Sequence, residues 1–255
     1  MISDPKLRPP GSRPGPLSGP APHATGGGSW LALLGVVALL WFFWSSWLVF
    51  PFKILVVLFH ELSHALAAIA TGGSVLSIEL VPQEGGLART AGGSRFLVLS
   101  AGYLGSLLWG GMILLAAAKS RLDRAVTTVL AAIVLGAALL WVRPFWSFGF
   151  AFTAAAGLAL LVVSRKLGHV TNDFLLRLVG LVSLFYALFD IQSDVLARPN
   201  LCASDASQLA RLTGLPTLFW GILWMLAGLA AAWFFLRKAA SYPNQSETGA
   251  ESGGV

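Results

Sequence analysis

Two imidazoles four residues apart, with a carboxylate between them, stand inside the apolar stretch ILVVLFHELSHALAAIATGG, Ile54 to Gly73. On a helix, positions i and i+4 share a face, so His60 and His64 can direct ring nitrogens to one ion. Glu61 follows the first histidine and can reach a water held by that ion. A metal lowers the pKa of such a water towards about 7, and the glutamate takes its proton as the oxygen attacks a carbonyl. Imidazole and carboxylate ligands in an open tetrahedral site suit a single Zn2+. In a soluble surface helix an H-E-x-x-H match can be an accident of solvated residues. In lipid that reading weakens, because an unpartnered carboxylate near mid-bilayer costs several kcal/mol and an intramembrane ionisable group is functional by default.

A catalytic zinc takes a third protein ligand. His23 lies in a Pro/Gly-rich tail and His169 in a loop, RKLGHVTND, so neither competes. Three aspartates do, all within LFDIQSDVLARPNLCASDASQLA: Asp190, Asp194 and Asp205. At about 1.5 Å per residue, His64 stands roughly 9 Å and His60 roughly 15 Å from a helix end at Ala70. Asp190 stands roughly 10 Å from a helix end at Ala197, and Asp194 only about 4 or 5 Å. If the two helices run parallel, Asp190 is level with the histidines and ranks first. Asp194 is then an alternate ligand or a partner that orients a histidine, or an interfacial charge paired with Arg198. Asp205 follows Ser204, which reads as a helix N-cap, and a first-turn aspartate suits a helix N-terminus. That structural role ranks ahead of ligation for Asp205.

The elements that must position these groups are apolar. The 255 residues are 56% hydrophobic and 11% charged, and the mean hydropathy is +0.76. A soluble domain carries about a quarter charged residues, so lipid is the solvent for most of this chain. About seven runs approach the length of a spanning helix. They are residues 30–47, 52–70, 96–118, 125–142, 145–163, 174–197 and 215–236. Pro51 marks the entrance to the second run, and only Arg143 and Pro144 separate the fourth from the fifth, as in a tight hairpin or a broken element. The Pro/Gly/Ser-rich residues 1–29 and the C-terminal residues 239–255 read as disordered tails around a membrane domain over 30–238. Basic residues between the runs weakly favour a cytoplasmic C-terminus.

The net charge of +6 could suggest nucleic acid, but the basic residues lie singly or in pairs between apolar runs. That pattern fits loop charges at lipid headgroups, with no nucleic-acid stripe. The single cysteine, Cys202, excludes an internal disulfide and a thiolate cluster.

Between the second and third runs, SVLSIELVPQEGGLART (Ser74 to Thr90) is rich in β-branched residues and broken by Pro82 and Gly85-Gly86. It reads as a β-hairpin beside the helices. Its strand edge at Val75 to Val81 could pair with an unwound substrate by strand addition, or the hairpin could simply plug a gap between helices. Gly102, Ser106 and Gly110 form a small-residue stripe suited to close helix packing.

Together, HELSHALAAIATGG, SIELVPQEGGLART, SAGYLGSLLWGG and DIQSD…SDASQLARLTGLPTLFWGILW resemble the membrane metallopeptidases related to site-2 protease, over about Phe50 to Trp224. The closest likeness is to their compact, metallopeptidase-like branch. The resemblance implies an all-α polytopic fold and a metal site within a multi-pass protein of a bacterial plasma membrane. It also implies cleavage of a membrane-embedded protein substrate, with His60 and His64 as ligands and Glu61 as base. The Asn…Pro-Asp-Gly segment by which site-2 proteases proper supply a third ligand has no counterpart here, since ARPN does not match it. The rival is a non-catalytic membrane scaffold or chaperone-like protein of the same fold, against which the retained Glu61 argues. Serine and aspartyl intramembrane proteases fit poorly, since both buried histidines are already used and Asp190 and Asp194 share one helix. A metal transporter should show ligands along a path, whereas here they gather at one level.

Overall fold

The computed structural model describes residues 35, 38, 41–119, 123–194 and 204–242. Within them, chain order is α1 (Phe50–Ala70), β1 (Ser74–Val81), β2 (Gly85–Ala91), α2 (Arg95–Lys119), α3 (Asp123–Leu140), α4 (Phe148–Lys166), α5 (His169–Gln192), α6 (Asp205–Thr213) and α7 (Thr217–Ala240). Six of these helices, all but α6, are long and apolar enough to cross a membrane. They correspond to six of the expected runs; half of the first run lies outside the described residues, as do residues 1–29, Ala197, Arg198, Cys202 and residues 243–255.

Helix α1 opens at Pro51, in the first turn, where the missing donor costs no helical bond. It is the innermost span: 72% of its most apolar window is buried, against 28% for α4 and α7, which turn most of their surface outward. Helices α2 and α5 flank it and press closely on each other. A side chain at Gly110 would meet the backbone of Gly180 and Leu184, and one at Gly180 would meet Gly110 in turn. The Ser183 hydroxyl donates across this contact to the Ser106 carbonyl at 2.8 Å. The small-residue stripe therefore acts in packing at Gly110 and Ser106, as the spacing predicts.

The chain leaves α1 through Gly72, whose φ of +85° favours glycine, and doubles back as the expected hairpin. Strand β1 pairs antiparallel with β2, from Ser74 opposite Ala91 to Val81 opposite Gly85. Its 8 residues extend over about 26 Å. That equals the rise of α1 from Ala70 back to Lys53, again about 26 Å. The hairpin is thus re-entrant: it runs alongside the innermost span and brings its tip back to the beginning of α1.

One expectation needs correction here. The edge of β1 at Val75 to Val81 is not open along its length. Ile78 donates its N–H to the Trp141 carbonyl at 2.8 Å and accepts from the Arg143 N–H at 3.0 Å, forming a parallel bridge with Val142. The link between α3 and α4, which reads from sequence as a tight hairpin or a broken element at Arg143 and Pro144, pairs with the strand at Val142. The edge that faces inward is that of β2.

Candidate metal centre

Burial and helix period fix the first two groups. His60 and His64 lie one turn apart on α1, their ring centroids 4.8 Å apart. The His64 side chain is 9% exposed and that of His60 13%. His64 Nδ1 stands 2.7 Å from the Val98 carbonyl oxygen, an acceptor only, so this nitrogen carries the proton and donates. Nε2 is left to face the site.

The third group is Asp205. Its Oδ2 lies 3.1 Å from His60 Nε2 and 3.2 Å from His64 Nε2. The ligand-type atoms of His60, His64 and Asp205 all fall within 4.8 Å of one another. Atoms bound tetrahedrally at about 2.0–2.1 Å stand about 3.3 Å apart, so the two separations from Asp205 are those expected around one shared zinc. Ser204 caps α6 as expected, accepting from the Ser207 N–H at 3.2 Å. The cap and the carboxylate role are compatible: Ser204 holds the helix terminus, and Asp205 in its first turn aims at the imidazoles. Burial alone would raise the Asp205 carboxyl; the imidazoles of His64 and His60 beside it outweigh burial and lower it.

Asp190, ranked first from sequence, is at the expected depth but on the other side of the ring. Its Oδ2 is 3.7 Å from His60 Nδ1, whereas the Nε2 atoms converge on Asp205. Depth along spanning helices ranks Asp190 with the histidines, but α6, a nine-residue helix too short to span, buries its first turn against the site. Asp194 accepts from the Tyr103 hydroxyl at 2.6 Å, and the Tyr103 ring stands 5.4 Å from that of His60. Helix α5 ends at Gln192, so a continuation to Ala197 and the pairing of Asp194 with Arg198 fall outside the described residues.

Glu61 turns to the hairpin. Its Oε2 accepts the Ala88 N–H at 2.7 Å, from the edge of β2 that points away from β1. Gly86 makes room: a Cβ there would lie closer than 3.0 Å to Glu61 Oε1, Cγ and Cδ. Gly102 does the same for His60 and Asp205, since a Cβ there would lie closer than 3.0 Å to His60 Nε2 and Cε1 and to Asp205 Oδ2. Both glycines carry more than the sequence suggested, Gly86 having read as a turn residue and Gly102 as part of a packing stripe. The Val98 carbonyl and the Ala88 N–H left no signal in sequence, because backbone groups acquire partners only through tertiary placement.

Around these groups lies a cleft of about 710 Å3, reaching from Glu84 and Tyr186 at the hairpin tip, past Glu61 and Asp205, to Arg95 and Gln208. Two imidazoles and a carboxylate, with a second carboxylate beside them and the inward edge of β2 opposite, suit hydrolysis of a peptide bond.

A protein-family model described as Peptidase M50B-like matches residues 32–235. Comparison with curated proteins and with solved structures finds no match.

Proposed function

Because this chain belongs to the Peptidase M50B-like family of membrane metallopeptidases, we propose that it is an intramembrane zinc endopeptidase acting on membrane-embedded protein substrates. The observation that carries the reading is the convergence of His60 Nε2 and His64 Nε2 on one carboxylate oxygen of Asp205, at 3.1 and 3.2 Å, with Glu61 on the same cleft. In this reading His60, His64 and Asp205 hold the zinc. Asp190, 3.7 Å behind His60, orients that imidazole. Asp194 supports the same wall through Tyr103.

Zinc, when bound, supplies Lewis acidity that makes a water nucleophilic near neutral pH. The protein's own groups do the rest. Glu61 accepts the proton of the attacking water and returns it to the departing amide nitrogen. The Ala88 N–H and the His64–Val98 bond hold base and imidazole in place before substrate arrives. The substrate lies along the inward edge of β2, rather than on β1, and passes the Ala88 N–H that Glu61 holds, so that its scissile carbonyl lies between the Asp205 cluster and Glu61. Residues of α1, α5 and the hairpin line the cleft.

The test pairs metal content with turnover. Purified wild type should bind one zinc per chain and cleave single-span model proteins in proteoliposomes. Glu61→Gln should keep the zinc and lose about 100- to 10,000-fold in kcat. Bound zinc without any Glu61-dependent cleavage across a broad panel overturns the protease reading and favours a scaffold of the same fold.

A further inference from the structure

The hairpin tip carries a group of residues that the chemistry at Glu61 does not use. Lys53 lies two turns before His60 on α1, roughly 10 Å along the axis. Its side chain is 8% exposed, in a spanning helix, with Nζ 3.1 Å from Glu84 Oε1 and 4.9 Å from the centroid of the Trp44 ring. Glu84 sits in the turn between β1 and β2, and the Tyr186 hydroxyl, from α5, donates to its carbonyl oxygen at 3.0 Å. One residue at the tip is thus held by its side chain to α1 and by its backbone to α5.

Glu84 is also the one non-glycine with positive φ among the described residues, at +59°. In a three-residue hairpin loop the residue before the second strand commonly adopts this left-handed conformation, and glycine does so without penalty. A glutamate is the costlier choice there. What it provides in exchange is the carboxylate on Lys53. The pair therefore reads as a fastening rather than as incidental surface charge.

The consequence follows from the length of the hairpin. Near the Gly73 end the two strands are tied to α1 by Thr71, whose Oγ1 accepts the Ser94 N–H at 2.9 Å. In the middle, Ala88 is tied to Glu61 at 2.7 Å. Lys53 and Tyr186 tie the far end. Because Lys53 and the two histidines ride on one rigid helix, fastening the tip to Lys53 fixes where each N–H and C=O of β2 stands relative to the metal ligands. We propose that Lys53, Glu84 and Tyr186 form a latch that sets the register of β2 over the catalytic groups and thereby selects which peptide bond of an added strand is cut. These are positioning residues. The inference rests on the protease reading above.

The test uses the full chain in proteoliposomes with single-span model proteins that wild type cleaves, and reads product masses, kcat, KM and zinc content. Lys53→Met/Glu84→Gly removes both charges together, so neither is stranded, and relaxes the turn. It should keep its zinc and a kcat within about threefold of wild type, while KM rises about tenfold or more. Its cuts should spread to neighbouring bonds, chiefly in steps of two residues, because side chains alternate along a strand. Tyr186→Phe should spread the cuts less, and Lys53→Arg should restore a single cut. An unchanged cut pattern and KM in the double variant overturn the latch, as does loss of its zinc, which would make the pair a support for the fold alone. Failure of wild type itself to cleave in a Glu61-dependent way is a different outcome, and sinks the protease reading on which the latch stands.

Discussion

Gly102→Ala tests the metal centre most directly, because it adds one carbon and alters no ligand. A Cβ at Gly102 would lie closer than 3.0 Å to His60 Nε2, His60 Cε1 and Asp205 Oδ2, where ordinary contacts are 3.4–4 Å. Either the imidazole and the carboxylate retreat, or α2 does. A retreat of roughly 1 Å carries a ligand out of reach of bonds that are about 2.0–2.1 Å long. Loss of a supporting outer contact already costs about 10- to 100-fold in metal affinity, so displacing two ligand atoms should cost about 100-fold or more. Stability should suffer far less. Overpacking costs about 1–3 kcal/mol, while replacing a mid-helix glycine by alanine returns about 0.5–1 kcal/mol. The net loss is about 0–2.5 kcal/mol. Zinc affinity by chelator competition, set beside thermal unfolding in the same detergent, separates the two effects. Gly136→Ala in α3, where nothing lies within 4 Å, is the control and should leave both unchanged or slightly improved. Wild-type zinc affinity in Gly102→Ala would refute the placement of the site.

Asp205→Asn should lower bound zinc to near background after dialysis, whereas Asp190→Asn should weaken affinity by about 10- to 100-fold, as for a group that orients a ligand; equal losses, or the reverse order, would return Asp190 to the ligand set. Gly86→Val should leave zinc bound yet depress kcat about 100-fold by pushing Glu61 off its Ala88 contact; metal analysis beside single-turnover kinetics reads it. Ser183→Ala should destabilise the α2–α5 contact by about 0.6 kcal/mol, and by no more than about 1.7 kcal/mol, the range for hydrogen bonds between membrane helices; denaturant unfolding in mixed micelles measures it, with activity unaltered at saturating zinc.

Much of this arrangement was legible from residue order. The spans follow from unbroken apolar runs, and the His60–Glu61–His64 face follows from helix period. The hairpin follows from β-branched residues interrupted by Pro82 and Gly85-Gly86. Local chemistry sufficed for each of these. Asp205 was harder to place, since its identity as a first-turn residue behind the Ser204 cap gave a full local account and nothing in the sequence says that α6 tucks inward. The Ile78 bridge to Val142 was equally hidden: it joins segments more than sixty positions apart through backbone groups, which carry no side-chain signature. Gly102 was visible only as a small residue, and a small residue does not disclose whether a helix or a metal ligand occupies the space it leaves.

The re-entrant hairpin also sets the shape of what can enter. An intact helix is about 10–12 Å across, whereas a strand takes up only about 5 Å beside its neighbour. If substrates lie against β2 as proposed, a span must first surrender its coil, and the ease with which it unravels then governs its fate before any bond is touched.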